Sequence, residues 1–280
     1  MQDIFTDTIQ QLSTANIISP RLEARILLAH ILGCTPSEIV SNVELNSEQY
    51  TQLQVLLQRR LNHEPLDKIT GRREFYKYTF YTSNDVLSPR PDTEILVEEA
   101  LKIIHINKNV YILDLGTGSG CIIATLLAER PHAQGVAVDI SANALQVAQK
   151  NAIALEIDER LQLIQADWFS ADFATQLNAK FDILVTNPPY IPSAEINTLA
   201  PEVKDHDPLL ALDGGADGFA SYRRIAEIAP ILLKKSGYIL LEAGYNQAED
   251  IARIFTAQGL QLKSIVRDLA GIKRCVILQK

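Results

Sequence analysis

The chain is poor in cysteine, in clustered basic residues and in long apolar runs. Its three cysteines, Cys34, Cys121 and Cys275, lie far apart and form neither a disulfide framework nor the paired spacing of a zinc site. The net charge is -8 and no long block of basic residues occurs, which argues against nonspecific capture of a nucleic-acid backbone. No uninterrupted apolar run reaches the length of a membrane span. We therefore expect no metal, no nucleic-acid partner and no membrane partner.

The first residues, Met1 to Asp7, include acids and lack the basic region followed by an apolar one that marks an export signal. Together with the scarcity of cysteine, this predicts a reducing, cytoplasmic location. A length of 280 residues with 47% hydrophobic content suffices for one large domain and one small one. We expect the protein to be a monomer.

The first sixty residues have a helical pattern. Ser19-Pro20 and Thr35-Pro36 are typical helix starts, and Gly33 is a typical helix end. A further helix is predicted from Ser47, with an apolar face made of Tyr50, Leu53, Leu56, Leu57 and Leu61. This pattern predicts a small helical domain over residues 1–72.

The rest of the chain reads as a hairpin followed by alternating strands and helices. The aromatic segment Phe75 to Tyr81 favours two short strands, so residues 73–90 are predicted to be a β-hairpin linker. A helix is expected from Asp92-Thr93 to about Ile104, and a sheet domain is expected over residues 91–280. Strands are predicted near 110–114, 134–139, 161–165, 181–186, 237–242, 261–266 and 273–279. Since the last two leave no room for a crossover helix, the final strand should return antiparallel, giving an α/β fold with a seven-stranded, mostly parallel sheet.

A glycine-rich turn follows the first of these sheet strands. Gly116, Gly118 and Gly120 would let the backbone pass close to a ligand at the start of a helix. Alone, such a turn also suits dinucleotides or close strand-helix packing. Asp139 ends the next strand 19 residues after Gly120, the distance at which an acid reaches a ribose diol in such folds. Asp114, before the glycines, would repel a pyrophosphate but could pair with a cationic amino-acid group.

The pattern from Asp114 to Gly120 resembles the first motif of the class I S-adenosylmethionine-dependent methyltransferases, which have a Rossmann-like sheet. That resemblance implies S-adenosylmethionine as the cofactor and Asp139 as the ribose ligand. It also implies that Asp167 lies near the adenine amino group and Trp168 against the adenine ring. The predicted cofactor-binding residues are Asp114, Gly116, Thr117, Gly118, Ser119, Gly120, Asp139, Asp167, Trp168 and Asn187.

A second motif, Asn187-Pro188-Pro189-Tyr190, follows the strand predicted at 181–186. The two prolines stiffen the chain where it leaves the sheet. The Asn187 side-chain oxygen and the Pro188 carbonyl can then accept hydrogen bonds from one planar NH2 group, while Tyr190 offers an aromatic wall. The motif therefore suits a conjugated nitrogen, either a carboxamide or the exocyclic amine of adenine. Asn187 and Pro188 are the predicted catalytic residues, and all four residues are predicted to bind substrate.

Four further segments resemble the bacterial peptide chain release factor glutamine methyltransferases, in a match that runs nearly end to end. They are Glu64 to Gly71, Arg73 to Tyr76, Val86 to Glu94, and Leu212 to Phe219 followed by Tyr222-Arg223. The resemblance implies methylation of the side-chain amide nitrogen (N5) of the glutamine in the Gly-Gly-Gln motif of class I release factors. It also implies that the helical domain helps to dock the release factor.

Two other functions stay open at this stage. An adenine-N6 methyltransferase acting on DNA or RNA would share the second motif but should carry basic residues beside it, whereas the stretch from Ser193 to Asp207 is acidic overall. A noncatalytic cofactor-binding adaptor would keep the pocket without transferring a methyl group. A nicotinamide dehydrogenase is disfavoured because it would leave Asp114 and the proline motif without a role.

Overall fold

The computed structural model describes residues 3–41 and 43–280. Met1, Gln2 and Asn42 lie outside the described residues, and Met1 and Gln2 belong to the amino-terminal segment that lacks the pattern of an export signal. Two compact units are present. The smaller unit takes the described residues up to Gly71 together with Ala200–His206, and the larger takes Arg72–Leu199 with Asp207–Lys280. By this division the hairpin belongs to the larger unit. The separate roles of a docking domain and a linker stay predictions.

The smaller unit is helical, as its sequence pattern predicts. Its helices are α1 (Ile4–Thr14), α2 (Pro20–Leu32), α3 (Ser47–Leu61), α4 (Leu66–Thr70) and the short α9 (Pro201–Lys204). Gly33 ends α2 in the left-handed conformation with φ 66°, and the Asn46 side chain caps α3 by accepting a 2.9 Å hydrogen bond from the Gln49 N–H. Leu12, Leu28 and Leu57 are fully buried in its core.

Two details of the helical prediction are wrong. Thr35-Pro36 starts a single 3-10 turn, Pro36–Glu38, because the Glu38 carboxylate accepts hydrogen bonds from both the N–H and the hydroxyl of Thr35 and closes the turn on itself. Tyr50 is 47% exposed rather than on the packed face of α3, because Leu53 and Leu57 supply the buried contacts of that helix.

The larger unit holds a two-stranded hairpin and a seven-stranded sheet, both as predicted. The hairpin pairs β1 (Arg72–Phe75) with β2 (Tyr78–Tyr81). The sheet contains β3 (Tyr111–Leu115), β4 (Gln134–Asp139), β5 (Leu161–Gln165), β6 (Phe181–Thr186), β7 (Leu233–Glu242), β8 (Gln261–Arg267) and β9 (Lys273–Gln279). Its order is β5-β4-β3-β6-β7-β9-β8, and β9 runs antiparallel to the other six strands of the described sheet. β7 begins at Leu233, earlier than predicted, because Leu233 already pairs with Phe181 of β6 before a shift in register.

Helices cover both faces of this sheet. They are α5 (Glu94–Ile103), α6 (Cys121–Glu129), α7 (Ala142–Ala154), α8 (Phe173–Leu177), α11 (Ala220–Leu232) and α12 (Ala248–Thr256), and the short α10 (Leu209–Leu212) lies in the connection between β6 and α11. Successive residues of the central strands point to opposite faces, so Leu113 and Leu184 enter one apolar cluster while Ile112 and Ile183 enter the other. Burying each such side chain contributes about 1.5–3 kcal/mol. None of the described helices is both long and apolar enough to cross a bilayer.

The strand order brings the two sequence motifs together. β3 lies between β4 and β6, and Leu115 of β3 pairs with Val138 of β4 on one side and with Thr186 of β6 on the other. After β3 the chain continues to β4 and β5 on one side of β3, whereas β6 lies on its other side. In open α/β sheets, ligands bind at the carboxyl ends of the strands where the strand order reverses in this way. Gly116 follows Leu115 and Asn187 follows Thr186, so the two motifs leave the sheet side by side.

Candidate active site

The turn from β3 to α6 needs glycine at three positions. Gly116, Gly118 and Gly120 have φ of 71°, 53° and 79°, in the left-handed region that other residues enter at a cost. Gly116 also lies against the Trp168 ring, from which a Cβ at position 116 would be 3.0 Å away. The turn therefore requires glycine for backbone conformation and, at Gly116, for close packing as well.

Asp114 lies beneath this turn, and its side chain is fully buried. The Thr117 hydroxyl donates a 2.7 Å hydrogen bond to Oδ2, whereas Oδ1 has no hydrogen-bond partner among the described residues. Burial is the main cause that raises the pKa of Asp114 to about 7, with a smaller contribution from the nearby charge of Asp139. Asp114 therefore anchors Thr117 from beneath the turn.

Asp139 connects the glycine turn to the start of α7. Its Oδ2 accepts a 2.8 Å hydrogen bond from the Gly118 N–H, and its Oδ1 accepts a 2.9 Å hydrogen bond from the Ser141 N–H. Each carboxylate oxygen has a further lone pair. The carboxylate is thus held in place at the cavity wall while it can still accept hydrogen bonds from a ligand.

Asp167 and Trp168 follow β5 and face the same cavity. The Asp167 Oδ1 accepts a hydrogen bond of 2.8 Å from the Phe169 N–H, which turns the chain sharply after the strand. Arg224 donates to the backbone oxygens of Trp168 and Ser170, both at 2.8 Å, and so fixes this turn from α11. The indole N–H of Trp168 is buried and has no partner among the described residues.

The Asn187–Tyr190 segment leaves β6 at the other side of the cavity. The Asn187 Nδ2 donates a 3.3 Å hydrogen bond to the Thr93 hydroxyl oxygen. The Tyr190 hydroxyl donates a 3.4 Å hydrogen bond to Oε1 of Glu242, and burial raises the pKa of that phenol well above its usual range. The backbone oxygen of Tyr190 accepts a hydrogen bond of 3.1 Å from the Gln247 side chain. The segment is therefore tied down at both ends.

These residues surround a cavity of about 500 Å³, within the usual range for small-molecule sites. Nine of the predicted residues line it: Gly116, Thr117, Gly118, Ser119, Asp139, Asp167, Trp168, Asn187 and Pro189. The residues that line the cavity do not include Asp114, Gly120, Pro188 or Tyr190. Around the wall, Ile140, Phe169, Leu209 and Leu210 are about half exposed or more, so the rim is apolar. The described residues hold no group of three or more side chains placed to bind a metal ion.

The sequence alone assigned no role to Thr93 or to Glu242, which contact Asn187 and Tyr190. Thr93 lines the cavity and contacts Asn187, although the sequence pattern marks it only as part of a helix start. Glu242 ends β7 as a fully buried acid, which is the same pattern that singled out Asp114 and Asp139 at the ends of β3 and β4. That shared position was the available signal for Glu242, whereas none was available for Thr93.

Comparison with known proteins covers nearly the whole chain. Residues 3–71 match the PrmC N-terminal domain and residues 77–203 match the methyltransferase small domain. A release factor glutamine methyltransferase of Rhodospirillum rubrum is 41% identical over 272 residues, which are 96% of this chain and 82% of that protein. Another of Caulobacter vibrioides is 41% identical over 276 residues, covering 98% of this chain and 94% of the relative. A third, of Cereibacter sphaeroides, is 40% identical over 276 residues, with coverage of 98% and 96%.

Proposed function

The chain belongs to the family of release factor glutamine methyltransferases, and from this premise we propose how its cavity carries out the reaction. The protein is an S-adenosylmethionine-dependent methyltransferase that modifies a glutamine of release factors. The glutamine is that of the Gly-Gly-Gln motif of class I factors, and the methylated atom is its side-chain N5. The observation that carries this assignment is the position of Asn187 directly beside the glycine turn in one cavity.

The residues of the cavity suit S-adenosylmethionine, which supplies an electrophilic methyl group on a positively charged sulfur. Asp139 has lone pairs for a ribose diol, and the unpartnered indole N–H of Trp168 leaves a donor available beside an aromatic wall. Two acids, Asp139 and Asp167, line this side of the cavity and make it favourable for a cation. Since Asp114 does not line the cavity, its pairing with the amino group of the cofactor stays a prediction.

Asn187 and Pro188 would hold the substrate amide. The nitrogen of a carboxamide is a weak nucleophile, because its lone pair is delocalised into the carbonyl group. When the Asn187 Oδ1 and the Pro188 carbonyl accept its two hydrogens, they fix the direction of that lone pair and stabilise the positive charge that forms on nitrogen. Pro189 and Tyr190 would enclose the glutamine side chain.

The wider assignments rest on the family. Release factors are the protein substrate, and translation takes place in the cytoplasm, so we assign the protein to that compartment. The helical unit would dock the release factor, and the enzyme would act as a monomer without binding nucleic acid. The net charge of -8 supports the last point, because nucleic-acid backbones attract basic surfaces.

We call the segment Asn187–Tyr190, which would hold the substrate amide, the clamp, and the substitution Asn187→Ala tests its role. We expect the methylation rate to fall by about 100-fold or more, because one of the two oriented acceptors is lost. The dissociation constant of S-adenosylmethionine, measured by calorimetry, should change much less. Asn109→Ala, in an exposed loop before β3, is the matched control and should leave both quantities unchanged. A normal rate in Asn187→Ala would rule out the clamp.

The substrate is identified by presenting three acceptors to the wild-type protein with radiolabelled cofactor. They are a class I release factor, the same factor with its loop glutamine changed to alanine, and adenine-containing DNA or RNA. Label on the wild-type factor alone establishes the proposed function. Label on nucleic acid alone would move the protein to the adenine-N6 class, and no label with measurable cofactor binding would favour the adaptor.

A further inference from the structure

We propose that Glu242 and Thr93 act as positioning residues, forming a relay that fixes the side-chain amide of Asn187 with its oxygen toward the substrate. This inference rests on the proposed function, since it concerns how the clamp is oriented for the same reaction. Neither residue need touch the cofactor or the substrate. Their effect passes through Asn187 and Tyr190.

Three elements bring the relay together at the cavity wall. Glu242 is the last residue of β7, one position after Leu241, which pairs with Thr186 of β6. Asn187 directly follows Thr186, and Thr93 directly precedes α5. Thr93 and Glu242 are each only 2% exposed. The relay is thus shielded from water, where hydrogen bonds to a carboxylate are strong.

The carboxylate of Glu242 lies against the Tyr190 end of the clamp. Its Oε1 accepts the hydrogen bond of the Tyr190 hydroxyl at 3.4 Å. Its Oε2 is buried and has no hydrogen-bond partner among the described residues. Thr93 is the foremost of the groups whose hydrogen bonding opposes the rise in the pKa of Glu242, so in the relay its hydroxyl is the donor to this carboxylate.

The orientation of Asn187 follows from which groups can donate. An ionised carboxylate can only accept, so the Thr93 hydroxyl directs its single hydrogen to Glu242. The Thr93 oxygen then offers only lone pairs to Asn187, which must answer with its NH2 group. The 3.3 Å contact joins these two atoms. Since the NH2 group points to Thr93, the Asn187 oxygen is the part of the amide that is left to accept from a substrate.

Without the relay, the Asn187 amide could rotate by half a turn at little cost, because its oxygen and nitrogen have nearly the same shape. Its NH2 group would then meet the NH2 group of a glutamine, and two donors would face each other. Binding of the cofactor would be little affected, whereas the transfer step would lose an oriented acceptor. The relay therefore acts on the rate of methyl transfer.

The charge of Glu242 is set by groups from every element around it. Burial raises its pKa to about 7, the nearby Asp92 carboxylate adds to this, and Thr93, Arg274 and Tyr190 oppose it. The other titratable groups that face it are the Tyr222 phenol, which donates to its backbone oxygen, and the buried thiols of Cys121 and Cys275. Arg274 is itself paired with Asp92 at 3.0 Å and with Asp268 at 3.3 Å. Protonated Glu242 could donate to Thr93 and reverse the relay.

The decisive pair of variants is Thr93→Val, which keeps the shape and removes the hydroxyl, and Thr93→Ser, which keeps the hydroxyl. We expect Thr93→Val to lower kcat for release factor methylation by about 10- to 100-fold, with the cofactor Kd unchanged within about 2-fold. Thr93→Ser should recover most of the rate. A normal kcat in Thr93→Val, or equal losses in both variants, would overturn the relay.

Glu242→Gln provides the second test, because a glutamine has one acceptor where the carboxylate has two. If the relay acts in series, the double variant Thr93→Val with Glu242→Gln should have the kcat of the slower single variant rather than the product of both losses. The kcat of the wild type should rise as the pH passes through about 7, and this step should be absent in Glu242→Gln. Multiplied losses or an unchanged pH profile would contradict the relay.

A measurement on the protein alone separates failure of the relay from failure of the proposed function. The side-chain NH2 signal of Asn187 is identified by its disappearance in Asn187→Asp. Its hydrogen exchange should be slow in the wild type and in Thr93→Ser, and at least 10-fold faster in Thr93→Val. Equal exchange in all three would refute the relay, whatever substrate the enzyme uses. A wild type that does not methylate release factors would refute the proposed function only.

Discussion

Three buried or half-buried acids, Asp114, Asp139 and Glu242, lie at or near the ends of sheet strands, and each has a different task because its partners differ. Two backbone N–H groups hold Asp139 at the cavity wall. Asp114 accepts a hydrogen bond from the Thr117 hydroxyl, and Glu242 interacts with the hydroxyl groups of Thr93 and Tyr190. Burial raises the pKa of each acid to about 7. Both carboxyl groups therefore change charge near neutral pH. Cofactor binding and clamp orientation should each respond to pH through one of them.

The effect of Asp114 on stability can be measured with Asp114→Asn. Because the pKa of Asp114 is higher in the folded protein than in the unfolded chain, the folded state holds the proton more tightly. Its contribution is therefore greatest below about pH 4 and is lost as the pH rises to about 7, a change on the order of 4 kcal/mol. Relative to Asp114→Asn, the wild type should lose unfolding free energy over this interval in urea titrations. A constant difference between the two proteins from pH 4 to 8 would contradict the assignment.

At the scale of elements, the site depends on how β3 passes into α6. The turn bends back so that the Gly118 N–H reaches Asp139 at the end of β4, and Gly116 lies against Trp168 after β5. One turn thereby positions the polar groups that follow two other strands. The glycines of the turn allow this backbone path, and the path shapes one wall of the cavity.

Gly118→Ala and Gly33→Ala form a matched pair that separates conformation from binding. Both glycines have positive φ, and a Cβ at either position would meet no atom within 4 Å. Each substitution should lower the unfolding free energy by about 1–2 kcal/mol, because alanine is disfavoured in the left-handed region. Only Gly118→Ala should weaken S-adenosylmethionine binding, by about 10-fold in calorimetry, since Gly118 lines the cavity and Gly33 ends α2 in the helical unit. Equal cofactor affinities would remove Gly118 from the site.

The whole molecule carries more acids than bases, 34 against 26. An acidic protein repels the phosphate backbone at a distance, so a nucleic-acid substrate would need a strong local basic patch. The apolar rim formed by Ile140, Phe169, Leu209 and Leu210 favours instead a contact with a protein loop. The charge balance and the cavity rim thus support the same class of substrate.

This balance predicts that the protein does not bind DNA or RNA measurably at physiological salt. Fluorescence anisotropy with labelled adenine-containing duplexes and single strands should show no saturable binding in about 150 mM salt. A titration at low salt is the control for weak electrostatic association. Saturable binding whose affinity falls steeply with salt would show a basic groove and revive the adenine-N6 alternative.

Much of the larger unit was predictable from local sequence. The seven apolar segments, the antiparallel return of the last strand and the hairpin near Phe75 follow from side-chain period and segment spacing, which act over a few residues. Asp139 and Asn187 could be identified because each directly follows or ends such a strand. In the smaller unit, the length of the helical turn that starts at Thr35-Pro36 could not be predicted, because its capping signal is the same for one helical turn as for several.

The sequence by itself determined which residues are candidates to carry the chemistry, since the motifs from Asp114 to Gly120 and from Asn187 to Tyr190 are continuous in the chain. The tertiary structure alone decided what surrounds them. Thr93 reaches Asn187 across 94 residues of sequence, and Glu242 reaches Tyr190 across 52. Such contacts depend on strand order and on helix packing against the sheet, which a local pattern does not encode. For the same reason, only the structure showed that Asp114 is buried and does not line the cavity.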